Sequence, residues 1–559
     1  MSVEGMFCSC LEKIFPDESA GGTAGFRAAS ALRGERFSLQ FAFRCSGYYS
    51  TPVVFEVDSP LKKYIRVRRV ALVPVHYPGP VNEDDEFLRN GLPGLYPDPL
   101  MDFDLEKGYK VASNVWHALW IDIDIPQRMK AGKYSLKVTC RQPGVEEPGA
   151  SDTFTLKVID AVLPPQKLIH TEWFHADCLA TYYNIPVWSE EHWRIIENHF
   201  RSATSHGINM LLTPVFTPPL DTQVGGERPT VQLVGVTLKD KKYHFDFTLL
   251  TRWIELAQQC GYQYFEISHL FTQWGAKFCP KIMAKVNGKR KRIFGWDVRS
   301  DSKKYRDFLD AFLPALTAYL KKKGLQDRVY FHCSDEPGKD HMEAYGKAVE
   351  ILRKHLQGFK MCDALSSVDF YKTGLVQTPV PAENHIGDFV EAGVKPLWTY
   401  YCCSQVWKVP NRLLYMPSAR NRILGMLLYR YDVTGFLQWG FNFYYSQFSI
   451  KPMDPWFSTD SDQGFPAGDA FMVYPGDKGE AVESMKLEVL FQGLQDLRAL
   501  QLLATKMEPR RIVAMLDAAS PGKRMTMMEY PRSAKELLAM REKINERIRQ
   551  RFAKRGSTR

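Results

Sequence analysis

The chain has 559 residues, 45% of them hydrophobic and 13% aromatic, with a formal net charge of +10. That length exceeds one compact core and predicts two or three domains, while the apolar content excludes a disordered chain. No run of about 18 uninterrupted apolar residues occurs, so no membrane-spanning helix is predicted.

The first fifteen residues carry Glu4 and Glu12, lack a basic leading segment and hold no long apolar run, so no secretory signal peptide is expected. The eleven cysteines are odd in number and scattered, and neither Cys8-Ser9-Cys10 nor Cys402-Cys403 has zinc-ligand spacing. Reduced thiols in a cytoplasmic protein, without metal or cofactor, are the expectation. Between 37 and 160 apolar residues alternate with polar ones, in 37–43, 119–125, 134–138 and 154–158, with Gly and Pro turns between. Short alternating strands of this kind predict an antiparallel β-sandwich as the N-terminal domain, 1–163. Asp122 and Asp124 share one face of a strand, and the alternation assigns them to a solvated sheet surface rather than to a site.

Pro164-Pro165 marks a linker. Beyond it, strand-like runs at 168–173, 209–213, 262–268, 329–332, 360–364, 377–380, 396–400 and 435–439 alternate with helical patterns at 191–205, 249–260, 305–323 and 341–355. Eight strands so spaced predict an α/β catalytic domain of (β/α)8-barrel type over 166–505. Residues 214–247 and 271–304 are long strand-to-helix connections, where substrate loops belong. The active site of such a barrel lies at the C-terminal ends of its strands. That filter selects Trp173, Asp177, Glu266, His269, Asp335, Glu336, Asp363, Trp398, Tyr400, Trp439 and Asn442. Several have an equally plain structural reading: Glu266 and His269 as loop anchors, Trp398 and Trp439 as barrel core instead of sugar-stacking platforms.

The stretch 329–338 holds the sharpest signal. A short apolar strand runs into two adjacent carboxylates, Asp335 and Glu336, and stops at Pro337. Pro337 predicts extended geometry for Glu336. With Cα atoms about 3.8 Å apart, two ionised carboxylates repel unless partners or unequal environments separate them. Unequal pairs let one site hold an acid and a charge stabiliser at neutral pH. The bland alternative is an exposed Asp-Glu turn.

His332-Cys333-Ser334-Asp335-Glu336-Pro337 resembles the catalytic strand end of glycoside hydrolase family 123, the β-N-acetylgalactosaminidases. Pro396-Leu397-Trp398-Thr399-Tyr400-Tyr401-Cys402-Cys403 resembles that family's Trp-x-Tyr-x-Cys-Cys segment. Gly435-Phe436-Leu437-Gln438-Trp439-Gly440-Phe441-Asn442, preceded by Arg422-Ile423-Leu424, resembles its Gly-Phe-Leu-x-Trp-Gly-x-Asn strand. Val473-Tyr474-Pro475-Gly476 with Glu483-Ser484-Met485-Lys486 resembles its closing signature. The resemblance implies an exo-acting, retaining hydrolase of terminal β-linked N-acetylgalactosamine, in which the sugar's 2-acetamido oxygen attacks and an oxazolinium-like intermediate forms. It assigns Asp335 to stabilising the amide and Glu336 to acid/base work, which requires a raised pKa at Glu336. Tyr400 or Tyr401 is the candidate for a further hydrogen bond to the acetamido group. The expected partner is a glycan or glycolipid oligosaccharide. A β-N-acetylglucosaminidase and a catalytically silent carbohydrate-binding protein on the same scaffold stay open as alternatives.

Two departures from the family pattern stand near the end. Phe491-Gln492-Gly493-Leu494-Gln495-Asp496 replaces its usual Arg-Glu-Gly-x-x-Asp, and Lys486 stands where Arg is common. Both fall on what reads as an outer helix, so they concern local packing more than catalysis. The C-terminal segment, 506–559, is helical by pattern from about 533 and rich in Arg541, Lys543, Arg547, Arg549, Arg551, Lys554, Arg555 and Arg559. Interleaved Glu542 and Glu546, with Phe552 the one aromatic nearby, read as a solvated helix rather than a nucleic-acid arm.

Overall fold

The computed structural model describes residues 2–47, 49–80, 88–144 and 149–552; Lys554, Arg555 and Arg559 of the basic tail lie outside them. The chain forms two compact units that interleave along the sequence. One holds Met1–Lys167, Val406–Tyr431 and everything from Val482 onward; the other holds Leu168–Gln405 and Asp432–Ala481. The linear partition at 163 and 505 differs from this because residues 406–431 and the C-terminal helices carry the apolar faces that pack in the first unit. No helix among the described residues is long and apolar enough to cross a membrane.

In the first unit ten strands make two five-stranded sheets. One runs, in spatial order, Val3–Ser9, Arg36–Cys45, Trp116–Asp124, Ile65–Val75, Gly94–Asp102; the other Ala28–Arg33, Ala150–Val162, Gly132–Arg141, Thr51–Asp58, Tyr109–Val111. Phe7, Phe41, Phe43, Phe55, Phe154 and Leu156, from both sheets, share one buried core. All pairings are antiparallel except that of Ala150–Val162 with Ala28–Arg33, which is parallel, a departure from the purely antiparallel expectation.

Asp122 corrects a second expectation. It is 2% exposed, because the helix Met485–Ala504 covers that sheet face instead of water. The fully buried Arg68 bonds Asp122 and also reaches Glu488 and Glu483, each at 2.5 Å. The outward Asp124 stays exposed and takes Arg36 at 2.9 Å. Nor is this helix an outer one. Gln492 and Gln495 donate to the Arg36 carbonyl at 3.0 and 2.9 Å, and Lys486 is buried on Asp98. A Cβ on Gly425 would lie 1.7 Å from the Gly493 carbonyl oxygen, so the two helix backbones touch there.

The C-terminal helix Ala534–Phe552 is likewise docked. Arg541, 4% exposed, donates to Glu35 at 2.8 Å and to Asp496 at 2.5 Å. Asp496 also takes both arms of the Arg422 fork, at 2.8 and 3.0 Å. Ile544 and Ile548 are buried beside it, whereas Lys543, Arg547, Arg549 and Arg551 face outward.

The second unit is built on eight parallel strands: β1 Ile169–Glu172, β2 Met210–Thr213, β3 Tyr264–Ile267, β4 Val329–Phe331, β5 Lys360–Ala364, β6 Thr378–Val380, β7 Leu397–Tyr400 and β8 Val433–Gln438. Their spatial order is β6-β5-β4-β3-β2-β1-β8-β7, the cyclic order of a barrel. The Tyr400 N–H and Thr399 hydroxyl both donate to the Pro381 carbonyl, at 3.0 and 2.9 Å, just past β6. These bonds nearly close the barrel between β6 and β7. Strands buried on both faces need no polar alternation, which is why β2 reads Met-Leu-Leu-Thr and is wholly buried. Amphipathic helices Glu190–Ser205, Thr248–Cys260, Lys303–Lys322 and Met342–Arg353 follow β1 to β4. Ser189 and Ser302 cap two of them by accepting from the N–H of His192 and Tyr305. After β5 and β6 the helices shrink to Asp369–Lys372 and Ile386–Glu391, so the helical ring of an ideal (β/α)8 barrel is incomplete. The long connections after β2 and β3 each fold a hairpin, and the two pair into a four-stranded sheet. Their turns are Asp240-Lys241 and Asn287-Gly288, all at positive φ, which suits two-residue hairpins.

Replacing Arg541 with Ala leaves Glu35 and Asp496 buried with lost partners and is expected to cost about 3–5 kcal/mol, seen as a lower urea midpoint. Arg549→Ala, on the exposed face, is expected to leave the midpoint unchanged. Equal midpoints for the two variants would mean that the buried ion cluster does not hold the helix.

Candidate active site

Directly after β4 comes His332, fully buried at the barrel centre. Its Nε2 lies 2.6 Å from the Glu266 carboxylate on β3, and its Nδ1 lies 3.1 Å from Asp363 on β5. Burial opposes charge on this ring. Even so its pKa is raised well above the usual imidazole value, by Cys362 and by the hydrogen-bonded Asp363 and Glu266. Burial raises the Cys362 thiol and, against its hydrogen bonds, the Asp363 carboxyl as well. His269 stacks on that ring at 4.3 Å and 22°. Burial, then the charge of His332, push its pKa well down, so it is neutral. Glu266 further accepts from Thr171 at 2.6 Å and from the Trp173 indole at 3.0 Å. Asp363 accepts from the Cys333 N–H at 2.9 Å and the Tyr345 hydroxyl at 2.5 Å. Potential ligand atoms of Glu266, His332 and Cys362, and of His269, His332 and Asp363, lie within 4.8 Å of one another. Both nitrogens of His332 already face carboxylates, so its positive charge does there what a cation would.

This floor holds the Cys333-Ser334 segment from which Asp335 and Glu336 project. Ser334 bonds the Thr272 carbonyl at 2.9 Å, the Trp274 N–H donates to the Asp335 carbonyl at 2.9 Å, and the Glu336 N–H donates to the Ala364 carbonyl at 3.1 Å. Glu336 has φ +42 and is therefore not extended, as Pro337 alone would suggest. The tethers to Trp274 and Ala364 on either side hold it in a conformation that costs a non-glycine residue on the order of 1 kcal/mol or more. The turn separates the two side chains by environment: Asp335 is half-buried, Glu336 exposed. Burial first, and then the Glu336 charge, push the Asp335 carboxyl well above the usual range; Asp363 and Asp221 add to this, and His332 opposes it. Glu336 accepts a 2.5 Å hydrogen bond from the Tyr400 hydroxyl. Burial and Glu336 raise that phenol's own pKa well above 10, so it stays a neutral donor.

The pair opens into a pocket of about 310 Å³ at the C-terminal mouth of the barrel. Of the residues expected from sequence, Trp173, Tyr400 and Trp439 line it with Asp335 and Glu336. Trp439 is fixed by an indole hydrogen bond to Asp469 at 2.9 Å. Glu266, His269 and Asp363 lie in the floor beneath and do not line the pocket. Four others are elsewhere. Trp398 is barrel core, packed on Tyr330 at 5.3 Å and over Gly435, where a Cβ would meet its ring at 2.0 Å. Tyr401, one residue out of phase with Tyr400 on the strand path, packs on Phe436 at 5.0 Å. Asn442 is a tether, exchanging hydrogen bonds with the His175 backbone at 2.8 and 3.1 Å. Asp177 pairs with buried Arg228 at 2.7 Å.

The loops supply walls that residue-by-residue reading missed: Asp221, Gln273, Trp274, Phe448 and Phe465, with Cys402 and Cys403. Asp221 accepts from the Phe448 N–H at 2.9 Å, and its own N–H donates to Gln273 at 2.7 Å. Burial raises its pKa to about 6, against the Phe448 hydrogen bond and Arg228. The length of the connections after β2 and β3 was the signal for Asp221, Gln273 and Trp274; Phe448 and Phe465, beyond β8, had none.

A profile of the glycoside hydrolase 123 catalytic domain matches residues 173–503, more than half of the chain. Among solved structures, a family 123 glycoside hydrolase from Clostridium perfringens, described for glycolipid glycan hydrolysis, aligns with a TM-score of 0.73. The two are 16% identical over 98% of this chain and 97% of that one, a likeness of fold. A β-glucuronidase from Ruminococcus gnavus, with a TM-score of 0.31 and 7% identity over 88% of this chain and 67% of that one, is too remote to bear on the site. A search of the curated proteins gave no match. With the profile spanning barrel, carboxylate pair and pocket loops, the chain belongs to glycoside hydrolase family 123.

Proposed function

We propose that the chain releases terminal β-linked N-acetylgalactosamine by substrate-assisted, retaining hydrolysis, with Asp335 and Glu336 as its two working carboxyls. The observation that carries this is their inequality: one half-buried with its pKa pushed up, the other exposed and held by Tyr400. Two adjacent groups so coupled titrate as a pair rather than independently. One proton over two sites is what an acid and a base acting together require. The described glycolipid glycan hydrolysis of the Clostridium perfringens enzyme agrees with a terminal sugar as substrate.

In this reading the pyranose sits among Trp173, Trp274 and Trp439, whose ring faces suit the apolar side of a sugar. The acetamido N–H donates to Asp335, which draws the negative charge there and leaves the shared proton on Glu336. The acetamido oxygen attacks the anomeric carbon as Glu336 protonates the leaving oxygen. Asp335 then faces the oxazolinium cation, and its raised basicity suits taking up the amide proton. Water then attacks the anomeric carbon from the opposite side, giving its proton to Glu336, while the bond from that carbon to the acetamido oxygen breaks and Asp335 returns the proton to the amide nitrogen. Two inversions make net retention. His332, fixed between Glu266 and Asp363, supplies a positive charge below Asp335 that tempers the repulsion within the pair.

Three outcomes test this. Nitrophenyl β-N-acetylgalactosaminide is expected to be hydrolysed with the β-anomer first in the proton NMR spectrum, while the plain β-galactoside, lacking the internal nucleophile, is untouched. Equal turnover of both, or an α-anomer first, ends the substrate-assisted reading; faster turnover of the N-acetylglucosaminide selects the gluco epimer, and binding without turnover a silent scaffold.

Glu336→Gln is expected to slow alkyl or sugar leaving groups by about 10²–10⁴-fold but nitrophenolate far less, since a good leaving group needs little proton help. Asp335→Asn is expected to slow both alike by about 10²-fold or more. The reverse pattern would exchange the roles.

In this reading the pair works with one proton, so the basic limb of kcat/KM reports loss of that proton from the free enzyme, a step opposed by the charge already on its neighbour. Glu336→Gln removes the acid, and the nitrophenyl substrate then needs only ionised Asp335, so with that substrate the basic limb is expected to disappear. A basic limb that stays would mean that another group titrates there.

A further inference from the structure

The connections after β2 and β3 carry a second surface besides the pocket walls. Their hairpins, Gly235–Lys239 with Lys242–Asp246 and Ile282–Val286 with Lys289–Phe294, lie side by side in the four-stranded sheet. Its register sorts the side chains by face. Lys239 stands opposite Lys242, Thr237 opposite Lys285, and Lys285 opposite Arg290. With alternation along each strand, the four basic residues share one side. Val236, Leu238, Tyr243 and Phe245 fall on the other, where Tyr243 and Phe245 pack on Phe308 of the helix Lys303–Lys322 at 5.1 and 5.9 Å. The basic side therefore faces away from that helix, and all four residues are exposed.

Little in the fold balances this charge. Lys239, Lys242, Lys285 and Arg290 have no ion-pair partner among the described residues, whereas Arg292 beside them is taken by Glu227 and Asp297, each at 3.2 Å. The second hairpin contains no acidic residue. In the first, Asp246 caps Thr248 at 2.9 Å, which leaves Asp240 in the turn. Lys241 and Lys289 extend the charge around the two turns. Like charges directly opposite one another lower the stability of a sheet, so the Lys239–Lys242 and Lys285–Arg290 pairs do not serve the fold.

We propose that this face docks the protein on an anionic phospholipid bilayer. The form of the face selects that partner. Three of its four charges are lysines, flexible point charges that suit mobile headgroups better than the rigid guanidinium forks that grip one phosphate or sulfate. The same side presents no Trp, Tyr or Phe on which a nucleic-acid base could stack. Strands about 4.8 Å apart set the row across roughly 15 Å, close enough for the charges to act together on a charged surface. Both hairpins leave the barrel at the end that carries Asp221, Gln273 and Trp274 of the pocket, so docking holds that end towards the lipid.

The test is co-sedimentation of the full chain with vesicles of phosphatidylcholine alone and of phosphatidylcholine with about one-third phosphatidylserine. Wild type is expected to bind the anionic vesicles and not the neutral ones, and to be released as salt rises. Lys239→Gln/Lys242→Gln/Lys285→Gln/Arg290→Gln is expected to weaken that partition by about 10²-fold or more, each lost charge being worth about fivefold near an anionic surface. The control, Lys543→Gln/Arg547→Gln/Arg549→Gln/Arg551→Gln on the outward side of the C-terminal helix, removes the same net charge and is expected to bind as wild type does. Where the sheet variant fails to fold, judged by its urea midpoint, Lys285→Gln/Arg290→Gln carries the test with an expected loss of about tenfold or more. Equal binding to both vesicle types, or an equal loss in the control, overturns the proposal. So does sheet-dependent retention on RNA or heparin without vesicle binding, which would make the partner a soluble polyanion. No readout here depends on hydrolysis, so the result stands apart from the catalytic reading.

Discussion

A protonated imidazole locked between two carboxylates is the constraint on which the site depends. Three charges buried at the centre of a barrel are costly unless each is paired and hydrogen-bonded, and here the pairing consumes neighbouring strands: Glu266 from β3, His332 after β4, Asp363 from β5. Thr171, Trp173, Tyr345 and the Cys333 N–H complete the shell. None of these groups has slack. The backbone that carries Asp335 and Glu336 therefore leaves the barrel along a defined path, with the network directly beneath it.

What the network positions is an asymmetry. Adjacent residues on a regular strand would point to opposite faces; here a left-handed Glu336, tied by its N–H to Ala364, brings both carboxyls to one pocket. The half-buried Asp335 and the exposed Glu336 thereby meet unequal environments although they are neighbours in the chain. Asp221, with its own raised pKa, extends the acidic wall and adds to the upward shift of Asp335.

The β-rich unit uses the same physics for a structural end. Arg68 with Asp122 and Glu488, and Arg541 with Glu35 and Asp496, each bury a guanidinium among carboxylates. Such clusters specify which helix covers which sheet face, because a shifted helix would strand a charge. They also account for the two family departures: Gln492 and Gln495 face the Arg36 carbonyl, and Lys486 faces Asp98.

Much of the fold was legible in the chain. All eight barrel strands and the four long helices declare themselves by periodicity, and the carboxylate pair by its place at a strand end, because local period and burial are coupled along each element. The two hairpins were not read from the sequence, which marked 214–247 and 271–304 only as long connections; the structure shows their turns at Asp240-Lys241 and Asn287-Gly288. Tertiary structure alone decided what lies across from what. The alternation around Asp122 says that it faces outward from its sheet, and only a helix far along the chain, Met485–Ala504, turns that outward face into a buried one.

 The covering helix, Met485–Ala504, is legible as a helix, but it is remote in sequence and no local pattern announces which sheet face it covers. Likewise Trp398 and Trp439, or Tyr400 and Tyr401, are alike as residues, and only barrel closure separates core from pocket. The upward shift of Asp335 belongs to this second class, because burial and charge are sums over groups that the chain brings together from several strands and their loops. The sequence by itself determined the elements and the adjacent carboxylates; the three-dimensional arrangement decided their environments, since desolvation and Coulomb terms depend on distance in space rather than along the chain.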